Sequence, residues 1–389
     1  MVIMSAFNPS QALEQEEHIF ILEWGDEWAR LLYALCQHGK VLHVDGFRER
    51  SCGVQNGVPM DEELASATIR KLMEQCQTKY HLLIQTIFVL IKSGGKLAYR
   101  VPEAKPYLNF LEKERQGTTP ISSAHLKGIP HHCDLFDAFD SEDDAFRYAF
   151  ALPSSMRENI QHSLIKADCF AEGFLSLPRI GAKARSQNHP GLVLGIFYEN
   201  SIMMVSKGND LVFYREFPFC LSMAIEKIQN RLQINKDRAQ RMIQWITNPP
   251  NAAEFDQGHP DDQALFMSKD FGLVKDDIAD ELDHLAISIR DDLIHCGTWE
   301  LGFDNIYLLG EGQAFYHHFT FLRDILPFEP LPLPVPHREQ FAEGFQAEEF
   351  AALIRLIETS LQLRTGHRIA IAASASNLPK KWLDRLIGR

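Results

Sequence analysis

The residues of this chain best suited to chemistry sit in short, separate clusters. Pro130-His131-His132-Cys133-Asp134 brings two imidazoles, a thiol and a carboxylate together. Adjacent side chains cannot converge on one tetrahedral ion, and no second ligand pair stands at a suitable spacing, so no metal centre is expected there. His317-His318 falls on a predicted helix, where consecutive residues point apart. Lys92-Ser93-Gly94-Gly95-Lys96 has the composition of a phosphate loop but lacks the Gly-x-x-x-x-Gly-Lys-Ser/Thr arrangement, and it reads as a hairpin turn between strand-like runs. Ser141-Glu142-Asp143-Asp144 reads as a solvated acidic loop. No Gly-x-Ser-x-Gly, His-Glu-x-x-His or dinucleotide fingerprint occurs, which leaves hydrolase, metalloprotease and dehydrogenase chemistry without residues to carry it.

The bulk composition bounds what such clusters can do. A chain of 389 residues exceeds the size at which a single core stops growing, so two lobes or several subdomains are expected. Hydrophobic content of 45% and charged content of 23% are those of a soluble globular protein. A formal charge of −13 removes the usual electrostatic drive for nucleic-acid binding, and no nucleic-acid partner is expected. Seven cysteines without Cys-x-x-Cys spacing fit a reducing compartment, hence a cytosolic protein. The longest apolar run, His81 to Ile91, falls well short of the roughly 20 residues a membrane span needs.

Stepping along the chain, a polar leader (1–18) precedes three strand-like runs, Ile19 to Leu22, Trp28 to Leu35 and Lys40 to Phe47, which predict a meander. Asp61 caps a predicted helix reaching Lys79, with Leu64, Ala65, Ile69, Leu72 and Met73 at helical spacing, and a strand ends at Ile91. A polar stretch from Val101 to Asp144 looks like an insertion. Strand Ala145 to Leu152, a helix from Ser155 to Ala167 and strand Cys169 to Leu177 follow. A second meander then opens like the first: Gly191 to Phe197, Ser201 to Ser206 and Leu211 to Pro218. Helices Leu221 to Leu232, Lys236 to Ile246 (capped by Asn235) and Asp276 to Ile294 lead to strand Asn305 to Leu309, a helix from Phe315 to Ile325 and an extended Pro327 to Pro336. Two meanders, each followed by helices, predict a duplicated unit.

Three glycine-bearing turns end strands in this pattern, and their order resembles that of the actin-like ATPase superfamily, most nearly its PilM-type, FtsA-type and GspL-cytoplasmic-domain-type members. Where that family has a first phosphate loop like Asp-Ile-Gly-Ser-x-Ser-x-Lys, this chain reads Glu23-Trp24-Gly25-Asp26-Glu27-Trp28-Ala29-Arg30. The second loop, typically Asp-Ile-Gly followed by Thr, reads Gly195-Ile196-Phe197-Tyr198-Glu199-Asn200-Ser201. The adenosine motif, typically Ile-x-Leu-x-Gly-Gly-Gly-Ala, reads Ile306-Tyr307-Leu308-Leu309-Gly310-Glu311-Gly312-Gln313.

The resemblance implies an α/β fold of two actin-like lobes, each a duplicated ribonuclease-H-like unit, with a small subdomain inserted in the first. Its boundaries would be a lobe I core at 19–101, the insert at 102–168, a return to lobe I and connection at 169–190, lobe II at 191–364 and a tail at 365–389. It places a vestigial nucleotide site at Glu23, Gly25, Arg30, Ser201, Gly310 and Gly312. Asp26 and Glu27 would set negative charge where backbone N–H groups should meet phosphate, and Trp28 would add bulk. Gly195 removes a metal-side carboxylate. The expectation is therefore a pseudo-ATPase without a cofactor, acting as a scaffold in a type IV pilus or type II secretion-like platform. The alternative is a working ATPase that takes ATP and Mg and polymerises or switches on them. Implied partners are a bitopic inner-membrane protein, whose cytoplasmic tail would lie in a groove beside the insert, a motor ATPase and further copies of the chain. The tail Asn377 to Arg389, as a helix from Pro379, would put Trp382, Leu383, Leu386 and Ile387 on one side and Lys380, Lys381, Arg385 and Arg389 on the other. Leu378, Pro379, Lys380, Lys381, Trp382 and Leu386 are its expected contacts, with a membrane at the inner face of the inner membrane, with a neighbouring copy or with its own lobe.

Overall fold

The computed structural model describes residues 16–55, 57–92, 98–102, 133–139, 146–181, 191–207, 210–247, 261–310, 315 and 324–376. Two compact units divide the chain: residues 1–179 together with 335–389, and residues 180–334.

In the first unit, β1 (Glu17–Trp24), β2 (Trp28–Gln37) and β3 (Lys40–Arg50) form the expected antiparallel meander. His38 and Gly39 take φ of 51° and 73° between β2 and β3, the geometry that lets a tight hairpin follow strand twist. A short pair, β4 (Val54–Gln55) and β5 (Val58–Pro59), precedes α1 (Glu62–Tyr80). The Asp61 carboxylate accepts from Glu63 N at 3.0 Å and Leu64 N at 3.1 Å, satisfying donors that the first helical turn leaves open. Strand β6 (Thr86–Ile91) then pairs parallel with β1.

Between β6 and the next core strand lies a separate antiparallel sheet of β7 (Ala98–Pro102), β8 (Cys133–Phe139) and β9 (Phe146–Pro153), in the order β7-β9-β8. Helix α2 (Ser154–Lys166) packs on α1, burying Ile160, Ser163 and Leu164, and delivers the chain to β10 (Phe170–Ser176), parallel to β6. Adjacent parallel strands require such a crossover. The small sheet therefore runs from Ala98 to Pro153, not over 102–168, and the helix that follows belongs to the core. Asp137 on β8 fastens this sheet to the core, accepting from Ser176 Oγ at 2.5 Å and Arg179 Nε at 3.0 Å.

The core sheet runs β10-β6-β1-β2-β3, and residues 335–376 complete it. Phe341 bridges to Val44 in parallel, and Phe345 and Phe350 lie over Gly46. Helix α7 (Ala351–Ser376) packs against β1 and β2 on the face away from α1. Lobe II was expected to extend to residue 364; residues 335–364 instead belong with the first unit. Leu353, Ile354, Leu356 and Ile357 bury there, and Arg364 pairs with Glu172 and donates to the carbonyl of His18 at 2.8 Å.

The second unit repeats the pattern. Strands β11 (Gly191–Ile196), β12 (Ser201–Lys207) and β13 (Asp210–Phe217) form a meander, followed by α3 (Leu221–Leu232), α4 (Lys236–Thr247), α5 (Asp262–Phe266) and α6 (Lys269–His295). Asn235 Oδ1 accepts from Arg238 N at 3.0 Å, the predicted cap of α4. Helix α6 starts a turn or two before its predicted Asp276, because Ser268 Oγ accepts from Phe271 N at 3.1 Å and caps it there. Strand β14 (Asn305–Gly310) lies parallel to β11, and β15 (Glu329–Pro332) parallel to β14. Proline tolerates this position because β15 is an edge strand. The order β13-β12-β11-β14-β15 matches β3-β2-β1-β6-β10 step for step, which is the duplication the two meanders predicted.

Candidate functional site

The three glycine-bearing segments fall at the ends of β1, β11 and β14. Glu23, Gly25 and Arg30 belong to the first unit, Ser201 and Gly310 to the second. Gly312 and the tail contacts Leu378, Pro379, Lys380, Lys381, Trp382 and Leu386 lie outside the described residues, as do His131-His132, His317-His318 and Ser141 to Asp144.

In the first unit, Glu23 ends β1 beside Trp24 and is 4% exposed. Its Oε1 accepts from Arg30 Nη1 at 2.8 Å across the β1–β2 pair, and Lys92, just past the end of β6, pairs with the same oxygen. Burial alone would raise the Glu23 pKa, but Lys92 and Arg30 outweigh it and hold the carboxyl below its ordinary value. Lys92 is the one site residue that motif reading misplaced, as part of a hairpin turn. Its signal was positional: it follows the strand that pairs parallel with β1.

The hairpin tip is closed on itself. Gly25 N donates to Trp28 O at 3.1 Å, and a Cβ at Gly25 would stand 2.9 Å from that carbonyl, so strand closure accounts for the glycine. Asp26 does not face outward as an isolated charge, because its Oδ1 accepts from Gly57 N at 2.8 Å. Trp28 is overlaid by two guanidiniums, with Arg48 at 5.0 Å and Arg50 at 5.8 Å from the ring centroid.

In the second unit, Ser201 is fully buried and its Oγ donates to Phe219 O at 2.6 Å, so its hydroxyl is spent inside the fold. Phe197 N donates to Asn200 O at 2.8 Å, closing the β11–β12 turn. The Phe197 ring then lies over two glycines on adjacent parallel strands. A Cβ at Gly195 would meet Phe197 Cε2 at 2.6 Å, and one at Gly310, which has φ of 69°, would meet Phe197 Cδ1 at 2.8 Å. Sequence reasoning noted both glycines and passed over the phenylalanine that needs them.

A shallow groove of about 620 Å³ is lined by Phe47, Glu49, Lys71, Glu74, Gln75, Thr78 and Lys79. It sits between α1 and β3, at the opposite edge of the sheet from β10 and the insert, and is not the groove the resemblance implied. Three of its polar side chains are engaged within the fold: Gln75 bonds Glu49 at 2.5 Å, and Lys79 pairs with the buried Asp45 at 2.7 Å. Among the described residues no group of three or more His, Cys, Asp and Glu is placed to hold a metal ion, and no helix is long and apolar enough to cross a membrane.

Two units of identical strand order, each opening on an antiparallel three-stranded meander, define the actin-like ATPase fold. Comparison with solved structures agrees. The chain is similar to a structure titled "PilM-PilN type IV pilus biogenesis complex", with 14% identity and a TM-score of 0.59 over 92% of this chain and 99% of that one. It is also similar to the ethanolamine utilization protein EutJ from Carboxydothermus hydrogenoformans, with 10% identity and a TM-score of 0.50 over 88% of this chain and 90% of that one. At such identities the likeness is one of fold. The chain matches no protein-family model, and no curated protein matches it in sequence.

Proposed function

We propose that this chain is a pseudo-ATPase: an actin-like protein that works through protein contacts and performs no nucleotide chemistry. The carrying observation is the state of Glu23, the carboxylate nearest in position to the family's metal-side aspartate. Two cations already hold it in a buried ion triad, so it has little charge left for a divalent ion. The Gly25 N–H is committed to Trp28 O, where a phosphate loop keeps such donors free. Gly195 offers no carboxylate, and the residues do not fit a triphosphate with its metal.

The biological role we propose is a scaffold at the cytoplasmic face of an inner-membrane assembly of the type IV pilus or type II secretion kind. Its partners would be the cytoplasmic tail of a bitopic membrane protein and a motor ATPase. The fold likeness to a chain solved in a PilM-PilN complex supports this reading. The C-terminal segment from Leu378 to Leu386 would supply a peripheral membrane or partner contact, since its apolar and basic residues separate at helical spacing.

Isothermal titration with MgATP tests the first part: no heat is expected, and micromolar binding with turnover overturns it. Pull-downs with cytoplasmic tails of candidate bitopic proteins test the second, and an empty result removes the peptide partner. Liposome co-sedimentation of the full chain against a chain ending at Asn377 tests the tail.

A further inference from the structure

Ligands of open α/β sheets sit in the crevice outside the carboxyl ends of the strands, at the point where strand order reverses. In the second unit that point is the β11–β14 pair: β11 has its antiparallel partner β12 on one side and its parallel partner β14 on the other. Gly195 is the next-to-last residue of β11 and Gly310 the last of β14. Gly195 pairs with Leu309 and Gly310 with Ile196, so the two glycines stand one register step apart on adjacent strands, and the missing side chains leave space there that a flat ring can fill. A flat ring does lie there, and it is the side chain of Phe197, within 2.8 Å of the position either Cβ would take. Phe197 is 5% exposed, and it is fixed from both sides, by Phe197 N on Asn200 O and by Leu221 N on Phe197 O at 3.0 Å.

We propose that Phe197 is an internal stand-in for a ligand: its phenyl ring occupies the crevice that would otherwise take a planar heteroaromatic ring such as a purine nucleoside, and this residue makes the second unit refuse one. The inference deepens the non-nucleotide reading above and rests on it, but it assigns the refusal to one side chain. Filling a ligand crevice with a tethered ring gives the sheet end its apolar packing without the entropy of capturing a free molecule. The same packing holds the β11–β12 turn in one conformation.

The test compares the full chain with Phe197→Ala and Phe197→Val, each checked for folding by circular dichroism, in titrations with adenosine and with benzene as separate probes. An apolar cavity left by a lost ring binds benzene wherever it lies in a core, so benzene alone reports only the hole. Adenosine binding at least about tenfold tighter in the alanine variant than in the parent chain is the expected result. A folded alanine or valine variant that takes benzene but binds adenosine no better than the parent overturns the inference, leaving Phe197 as ordinary core and the pseudo-ATPase reading intact. Tight binding of MgATP by the unaltered chain overturns both. Should the alanine variant not fold, the valine variant carries the comparison with the same two outcomes.

Discussion

Lys92, just past the end of β6, meets Glu23 on the neighbouring parallel strand β1: its ammonium rests on Glu23 Oε1, the oxygen that Arg30 reaches from β2 at 2.8 Å. One buried carboxylate thus ties together β1, β2 and the chain leaving β6. Removing it leaves two cations in a site whose three side chains are 5 to 15% exposed. Glu23→Ala is expected to destabilise the chain by about 3–5 kcal/mol, whereas a Glu23→Leu, Lys92→Met, Arg30→Met triple variant recovers much of that loss. Urea unfolding of the two variants checks this, and a single variant that matches the parent sinks it.

Acid stability follows from the same triad. Because Glu23 has its folded-state pKa lowered below the unfolded value of about 4.3, its contribution is complete above that pH and is lost as pH falls through the lower, folded-state pKa. Glu23→Gln should therefore flatten the acid flank of the stability profile. Denaturant midpoints recorded from pH 7 downwards supply the measurement.

The hairpins and caps were legible because their signals are local: Asp61, Asn235 and the His38-Gly39 turn each act within a few residues. Helix α7 was not. It is buried nearly all round, from Ala351 through Ile357, so it shows no amphipathic period, and its packing partner lies more than 300 residues back in β1 and β2. At the site, glycine positions could be read from spacing, whereas Lys92 on Glu23 and Phe197 over Gly310 are tertiary contacts that no motif encodes.

Gly195→Ala should cost about 1–3 kcal/mol, since its Cβ would stand 2.6 Å from the Phe197 ring and 3.1 Å from Ile202, and the ring must shift to admit it. In a Phe197→Ala background that penalty should shrink, giving a coupling of about 0.5–3 kcal/mol between the two positions. Thermal unfolding of the four proteins measures it, and strict additivity would contradict the contact.

Thiol chemistry should be selective. Burial pushes Cys36, Cys76 and Cys169 up to about 12, and Cys52 is the exposed cysteine. Alkylation of the native chain at pH 8, read by peptide mass spectrometry, should label Cys52 first and Cys36, Cys76 and Cys169 only after denaturant is added.

Asp61→Ala should lower stability by about 1 kcal/mol through loss of the two cap bonds to Glu63 and Leu64. Asp61→Ser, which can make the same bonds, should retain most of the difference.

The return of residues 335–376 to the first unit has a consequence for how the chain is made. Residues 180–334 are contiguous and can close as soon as they leave the ribosome, while the sheet begun by β1 waits for α7. The half synthesised first is finished last, and until then the faces of β1 and β2 that α7 will cover stay open to other proteins and to chaperones.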